Sequence, residues 1–342
     1  MKKIIRFIIL FLLIGFGIFL QGQRLAILKE LAKPTNLLID GQILLISDET
    51  NQLHLYSFKN FKHIAQLCRS GEGPGEAQYV GRVILNKEYI FRYIQGKNIY
   101  YSRDGKFQKE FKTRGIRNLF FYPIGKKFVN QQSVRKNGNE DSSNEISLFT
   151  FSPDEGMKFE KLLYWFKYKP ITWKGARRPY RFFYDNHEVV IFEDKIFIGD
   201  SMRGLFVQCF DKDGKNISQV KLEIEKTKFP DWYENDLKIQ LKNNGQWDLF
   251  NNQFYFEHPD YYPDFYQFFV GKNKIYFLTF VRKGDQREVV ITDWHGKLIK
   301  KSYIPWVHFP YERNFTIFED KFYWLVDNQD TEEWELHVTD VK

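Results

Sequence analysis

Between Lys167 and Tyr184 the chain carries six basic residues, Lys167, Lys169, Lys174, Arg177, Arg178 and Arg181, and no acidic one. Among them stand the aromatic side chains of Trp173 and Tyr180. A guanidinium is a planar fork that fits carboxylate or sulfate, and an indole or phenol ring stacks on a cation or a flat ligand face. Arg177, Arg178 and Arg181 are therefore expected to grip an acidic group while Trp173 and Tyr180 stack on a ring. A later stretch, about residues 225–265, adds Trp232, Tyr261 and Tyr262. If both stretches leave the same face, they form one composite lid. The competing reading is a pair of solvated loops whose aromatics pack on the layer beneath, or a cover with no ligand of its own.

Other chemistry has less local support. Asp48, Asp200 and Asp327 each end an apolar run and could hold a divalent cation, but such a site gathers several oxygen ligands and no convincing set is visible. The simpler role is capping a turn, a habit of short polar side chains. The seven histidines (54, 63, 187, 258, 295, 308 and 337) show no paired metal-ligand spacing. No Gly-x-Ser-x-Gly elbow is present. The glycine-rich Gly71-Glu72-Gly73-Pro74-Gly75-Glu76 lacks the Lys-Ser/Thr of a phosphate loop, and no helical pattern opens after it. No cofactor is expected. Nucleic acid would use the same basic and aromatic residue types, but an exported protein rarely meets it.

Export is expected from the N-terminus. Lys2, Lys3 and Arg6 precede the charge-free run Phe7–Leu20, too short for a typical span, so residues 1–23 read as a signal peptide or, failing cleavage, an N-terminal anchor. Those three residues supply part of the formal charge of +8, which leaves only a mild basic bias on the mature chain. Destination is then periplasmic or cell-surface, with membrane contact only through an uncleaved segment. Cys68 and Cys209 are the only cysteines, and no disulfide is expected between them.

The elements that must position these residues are strands. Aromatics make up 18% of the 342 residues, with 35 Phe, 20 Tyr and 8 Trp against 3 Met, which favours sheets over a helical bundle. A polar turn leading into an apolar strand recurs at Ile43, Tyr89, Phe128, Ile196, Ile275 and Phe322. Three of the five intervals match the roughly 40–50 residues of a four-stranded propeller blade. The two longer ones contain the insertions near 166–186 and 225–265. Glycine turns follow at Gly105, Gly214 and Gly296, where a hairpin needs positive φ. The fold expected for residues 24–342 is all-β: a six-bladed β-propeller of four-stranded antiparallel blades. The last blade shows only three strands before the chain stops, so Arg24–Leu31 is expected to supply its outer strand and close the ring. A short helix is expected over 231–241, stopped by Gly245.

With this repeat, the Gly71–Glu76 segment between blades resembles the Gly-x-Gly-Pro-Gly-Glu/Gln link of exported bacterial six-bladed propellers related to the NHL-repeat group. Ala77 stands where those often have Phe, and Arg92-Tyr93 replaces the Asp that Asp48, Asp200 and Asp327 represent in other blades. The resemblance implies export and a binding role. The expected function is a non-enzymatic scaffold that binds a protein or an anionic or carbohydrate ligand on the loop face. The alternative is a metal-dependent lactonase- or lyase-type propeller with its site near the ring axis, since that wider group includes such enzymes.

Overall fold

The computed structural model describes residues 22–341 except 79–80, 95–96, 113–119, 137–140, 153–155, 168–173, 182–186, 231, 244, 258 and 306–313. The expected signal segment, Trp173, His258 and His308 thus lie outside the described residues, apart from Gly22 and Gln23 at the segment's end. Six sheets of four antiparallel strands follow one another, the architecture of a six-bladed β-propeller. No helix among the described residues is long and apolar enough to cross a membrane.

The chain divides into two compact units. The first holds blade 1 (strands Pro34–Ile39, Ile43–Asp48, Leu53–Ser57 and His63–Leu67), blade 2 (Arg82–Leu85, Tyr89–Ile94, Lys97–Ser102 and Phe107–Lys112) and blade 6. Blade 6 consists of Phe315–Phe318, Lys321–Asn328 and Glu333–Asp340, with Gln23–Leu28 as its fourth strand. That strand runs antiparallel to Glu333–Asp340 with Gln23 opposite Val338 and Leu28 opposite Trp334, as the missing-strand argument requires. Arg24 Nη1 donates to Glu335 Oε1 at 2.5 Å, and Trp334 Nε1 donates to Ala32 O at 3.0 Å.

The second unit holds blade 3 (Phe120–Ile124, Lys127–Lys136, Asp141–Ser152 and Gly156–Lys167), blade 4 (His187–Phe192, Lys195–Asp200, Leu205–Asp211 and Asn216–Leu222) and most of blade 5. Blade 5 comprises Gln267–Gly271, Lys274–Lys283, Gln286–Asp293 and Leu298–Pro305. All six apolar starts seen in the sequence fall in the second strand of their blade.

Apart from that of blade 3, these second strands are apolar with little alternation, and in blade 1 both faces are covered. Side chains of a strand alternate between faces. In blade 1, Ile43 and Leu45 join Ile90 and Ile99 of blade 2, whereas Leu44 and Ile46 join Tyr323 and Leu325 of blade 6. In the second unit, Phe197, Val207 and Cys209 of blade 4 pack with Phe268, Phe277 and Val290 of blade 5. Cys68 and Cys209 are both free and buried, and burial pushes the Cys209 thiol up to about 11.

The glycine turns set the spacing between blades. Gly105, Gly214 and Gly296 have φ of 89°, 74° and 88°. Each turn is braced by a side chain three residues earlier: Ser102 Oγ, Asp211 Oδ1 and Asp293 Oδ1 accept the N–H of Lys106, Lys215 and Lys297. A Cβ on Gly214 would lie 2.8 Å from Leu163, on the outer strand of blade 3, and one on Gly105 would lie 2.9 Å from Ala65 of blade 1.

Gly71–Glu76 does connect two blades. Glu76 Oε2 accepts Gly73 N–H, Glu110 Oε2 accepts Gly75 N–H, and Lys97 Nζ donates to Gly73 O and Glu76 O. Tyr101 donates its hydroxyl proton to Gly75 O at 2.6 Å. These ties run within the segment and to blade 2, and Gln78 Nε2 donates to Glu72 Oε1, so the segment is a fastener rather than an open cradle.

Candidate functional site

The two insertions meet. Arg178–Arg181 runs parallel to Phe254–Glu257, pairing Arg178 with Phe254 and Arg181 with Glu257. The second insertion also contains helix α1 (Trp232–Asn243) and helix α2 (Trp247–Gln253). Helix α1 ends where the sequence places its stop: Gly245 is left-handed at φ 66°, and Gln246 N–H bonds Leu241 O at 2.8 Å. Helix α2 has no counterpart in the sequence reading. Its N-terminus carries no side-chain cap and none of its residues is buried, so neither end signal nor periodicity marks it.

Aromatic rings form the centre of this module. Tyr180 makes edge contacts with Phe250, Phe254 and Phe256, and Trp247 stacks on Phe250 and Phe256. Cations cover these rings and the neighbouring Tyr255: Arg178 lies 4.4 Å above Phe254, Lys238, paired with Glu234, 5.5 Å above Phe256, Lys242 5.7 Å above Trp247 and Lys174 4.4 Å above Tyr255.

The predicted site residues have separate placements. Arg177 is turned inward, donating from Nε to Phe254 O at 2.9 Å and from Nη2 to Asn251 Oδ1. Arg178 is exposed above its ring, and Tyr180 is half-buried in the cluster. Arg181 lies in the paired strand and Trp232 opens α1. Tyr261 is 49% exposed and bridges Lys228. Tyr262 is committed to packing: its ring stacks on Phe280 at 4.4 Å and meets Phe229 at 4.9 Å.

The neck of the second insertion is closed by Phe229 N–H to Asp260 O and Tyr262 N–H to Thr227 O. From there Asp264 reaches the turn after the second strand of blade 4, its N–H bonding Ser201 O and its carboxylate accepting Gly204 N–H at 2.8 Å.

That turn begins at Asp200. Its Oδ1 accepts Met202 N–H at 3.1 Å and lies 3.2 Å from His187 Nε2, and its Oδ2 accepts the Tyr164 hydroxyl at 2.8 Å. Burial works to raise this carboxyl, but the bonds from His187, Tyr164 and Met202 outweigh it and hold it below the usual range. Burial pushes the Tyr164 phenol the other way, up to about 12. Arg203 Nη1 donates to the Tyr164 oxygen at 2.9 Å, and its guanidinium rests 4.3 Å above Phe206.

Asp48 plays a parallel part in blade 1. Its Oδ1 accepts Thr50 N–H, the Thr50 hydroxyl and Gln52 N–H, and its Oδ2 lies 3.1 Å from His54 Nε2. Asp327 accepts Gln329 Nε2. Asp48 and Asp200 thus cap their own turns. Among the described residues, no three His, Cys, Asp or Glu side chains are grouped to hold a metal ion.

Tyr164 and His187 escape the sequence reading because strand pairing sets His187 opposite Asp200 and packing of blade 3 on blade 4 brings Tyr164 to it. A signal exists for Arg203 alone. It stands three residues after the strand-ending Asp, where Asn51 stands in blade 1.

No family model matches this chain, and no curated protein matches it. Solved structures do. A Bacteroides fragilis NCTC 9343 protein described as a "Putative exported protein" aligns with TM-score 0.54 at 13% identity over 94% of this chain and 95% of that one. The computationally designed Ika8 protein gives TM-score 0.43 at 9% identity over 93% and 100% of the two chains. The β-propeller domain of Myceliophteria thermophila Cps50 (Swd1) gives 0.40 at 11% identity over 92% and 98%. The first of these likenesses shows a shared fold.

Proposed function

We propose that this protein is an exported, non-enzymatic propeller scaffold that binds an anionic ligand, carbohydrate or protein, on the module built by its two insertions. The observation that carries the reading is the parallel pairing of Arg178–Arg181 with Phe254–Glu257, which sets Arg178 and Lys242 over rings of one aromatic cluster and Lys174 over the adjacent Tyr255, while Lys238, over Phe256, is paired with Glu234. Cations so gathered on a preformed surface attract acidic groups and lose little side-chain freedom on binding them. Export rests on the basic and apolar residues of the 1–23 segment. Kinship with NHL-type exported propellers rests on Gly71–Glu76.

The test is titration calorimetry with oligogalacturonate, a poly-glutamate peptide and a neutral oligosaccharide of matched length. The expected result is binding to an acidic probe alone, with affinity falling as salt rises. Replacing Lys174 and Arg178 together by Ala should weaken it about tenfold or more, taking each charge-assisted contact at roughly 1 kcal/mol or above. Equal binding of the neutral probe, or no binding of either acidic one, overturns the reading.

A further inference from the structure

The blade 4 turn presents a cation built differently from those of the module. Arg203 is exposed, yet it is fixed on two sides: Phe206 supports the guanidinium plane and the Tyr164 hydroxyl accepts one Nη1–H. Tyr164 is in turn held by Asp200, and Asp200 by His187 and Met202 N–H. His187 stacks on Phe166 with ring centroids 3.2 Å apart and planes at 6°. The side chains of Asp200 and His187 are only 4% and 7% exposed. Burying charged and polar groups is costly unless each bond in the network is made. Here the network runs outward through Tyr164 and ends on a guanidinium that makes no ion pair among the described residues. Its other N–H groups make no ion pair or hydrogen bond among the described residues. Orienting a side chain from behind while leaving its donors to solvent is the arrangement that holds a ligand-binding group in place.

We propose that Arg203 is a prebuilt anchor for a carboxylate, placed at the neck of the insertion module, with Tyr164 as its positioning residue. A carboxylate matches the guanidinium fork with two parallel N–H bonds, which a lysine ammonium cannot reproduce. The 200–204 turn is tied through Asp264 to the end of the second insertion, the same insertion that carries the aromatic module. The inference deepens that reading, and it is tested by variants that leave the module cations intact.

The probes are oligogalacturonate, its methyl ester, which lacks the carboxylates, a sulfated oligosaccharide and a glutamate peptide. Each is titrated against the full protein and against Arg203→Lys, Arg203→Ala, Tyr164→Phe, the Arg203→Ala/Tyr164→Phe pair and the Lys174→Ala/Arg178→Ala pair. Free-acid probes should bind and the ester should not. Arg203→Lys should weaken binding about tenfold although it keeps the charge. Tyr164→Phe should weaken it severalfold in the wild-type background and have no effect in the Arg203→Ala background, a coupling that a purely structural tyrosine would not show. Denaturation of each variant separates affinity from stability.

If only the Lys174/Arg178 pair weakens binding, the anchor is wrong and the module stands. If only the Arg203 and Tyr164 variants weaken it, the anchor stands and the module reading falls. Equal binding of acid and ester, a preference for sulfate over carboxylate, or no binding of any carboxylate probe overturns the anchor. Loss from the saccharide or from the peptide arm identifies the source of the carboxylate.

Discussion

At the scale of single residues, the chain uses carboxylates mainly as structural acceptors, and Glu335 gives the clearest measurable consequence. Asn328 Nδ2, His337 Nε2 and Arg24 Nη1 converge on it and lower its carboxyl from the ordinary 4.5 to about 2. A group with a depressed folded-state value stabilises the fold fully above its ordinary value, and the contribution is lost as pH falls through the folded value. Stability should therefore decline between pH about 4.5 and about 2, and Glu335→Gln should flatten that part of the curve while lowering stability at pH 7. Urea midpoints across pH 2–7 measure this, and a variant curve parallel to wild type would show that Glu335 is not the titrating group. The aspartates show how far residue types speak for themselves. Asp48 and Asp200 read as turn caps in the sequence because a short carboxylate after a strand reaches the N–H groups just ahead of it. Their histidine partners could not be read there. His54 lies after Asp48 and His187 before Asp200, so no common spacing relates the two pairs.

At the scale of elements, the second strand was most legible where both faces are buried, as in blade 1, which writes an apolar run behind a polar turn; in blade 3 only Phe128-Val129 marks it. The outer strands were faint. His63–Leu67 and Phe107–Lys112 are largely exposed and carry little apolar pattern. Pairing of Arg178–Arg181 with Phe254–Glu257 had no local mark, since its partners come from different insertions and their match lies only in the backbone. The polar turns themselves store strain. Glu193 and Asp194, between the first two strands of blade 4, have φ of 46° and 55°, the conformation of a hairpin turn that favours Asn-Gly. Left-handed backbone costs an ordinary side chain about 1–2 kcal/mol. Glu193→Asn with Asp194→Gly should accordingly raise stability by about 1 kcal/mol. Equilibrium denaturation tests it, and an unchanged or lower midpoint would mean that the native side chains compensate for their backbone.

At the scale of the whole molecule, the chain meets itself at its ends. Gln23–Leu28 lies on Glu333–Asp340, Leu28 is 1% exposed, and Leu31 is buried close behind it. Removing residues 22–31 should cost on the order of several kcal/mol from these side chains alone. It should also leave Glu333–Asp340 as an open edge that recruits other chains. A lower melting midpoint together with concentration-dependent association in light scattering is the expected outcome, and a monomer of unchanged midpoint would refute it. The same closure also acts in time. The bond from Arg24 to Glu335 spans 311 positions, so it joins the first blade-forming residues to leave the ribosome to some of the last. Contacts of such separation form late because a long loop must close first. The final blade therefore stays unlatched until its last strand has been made, and until then the N-terminal strand waits without its partner in the fold.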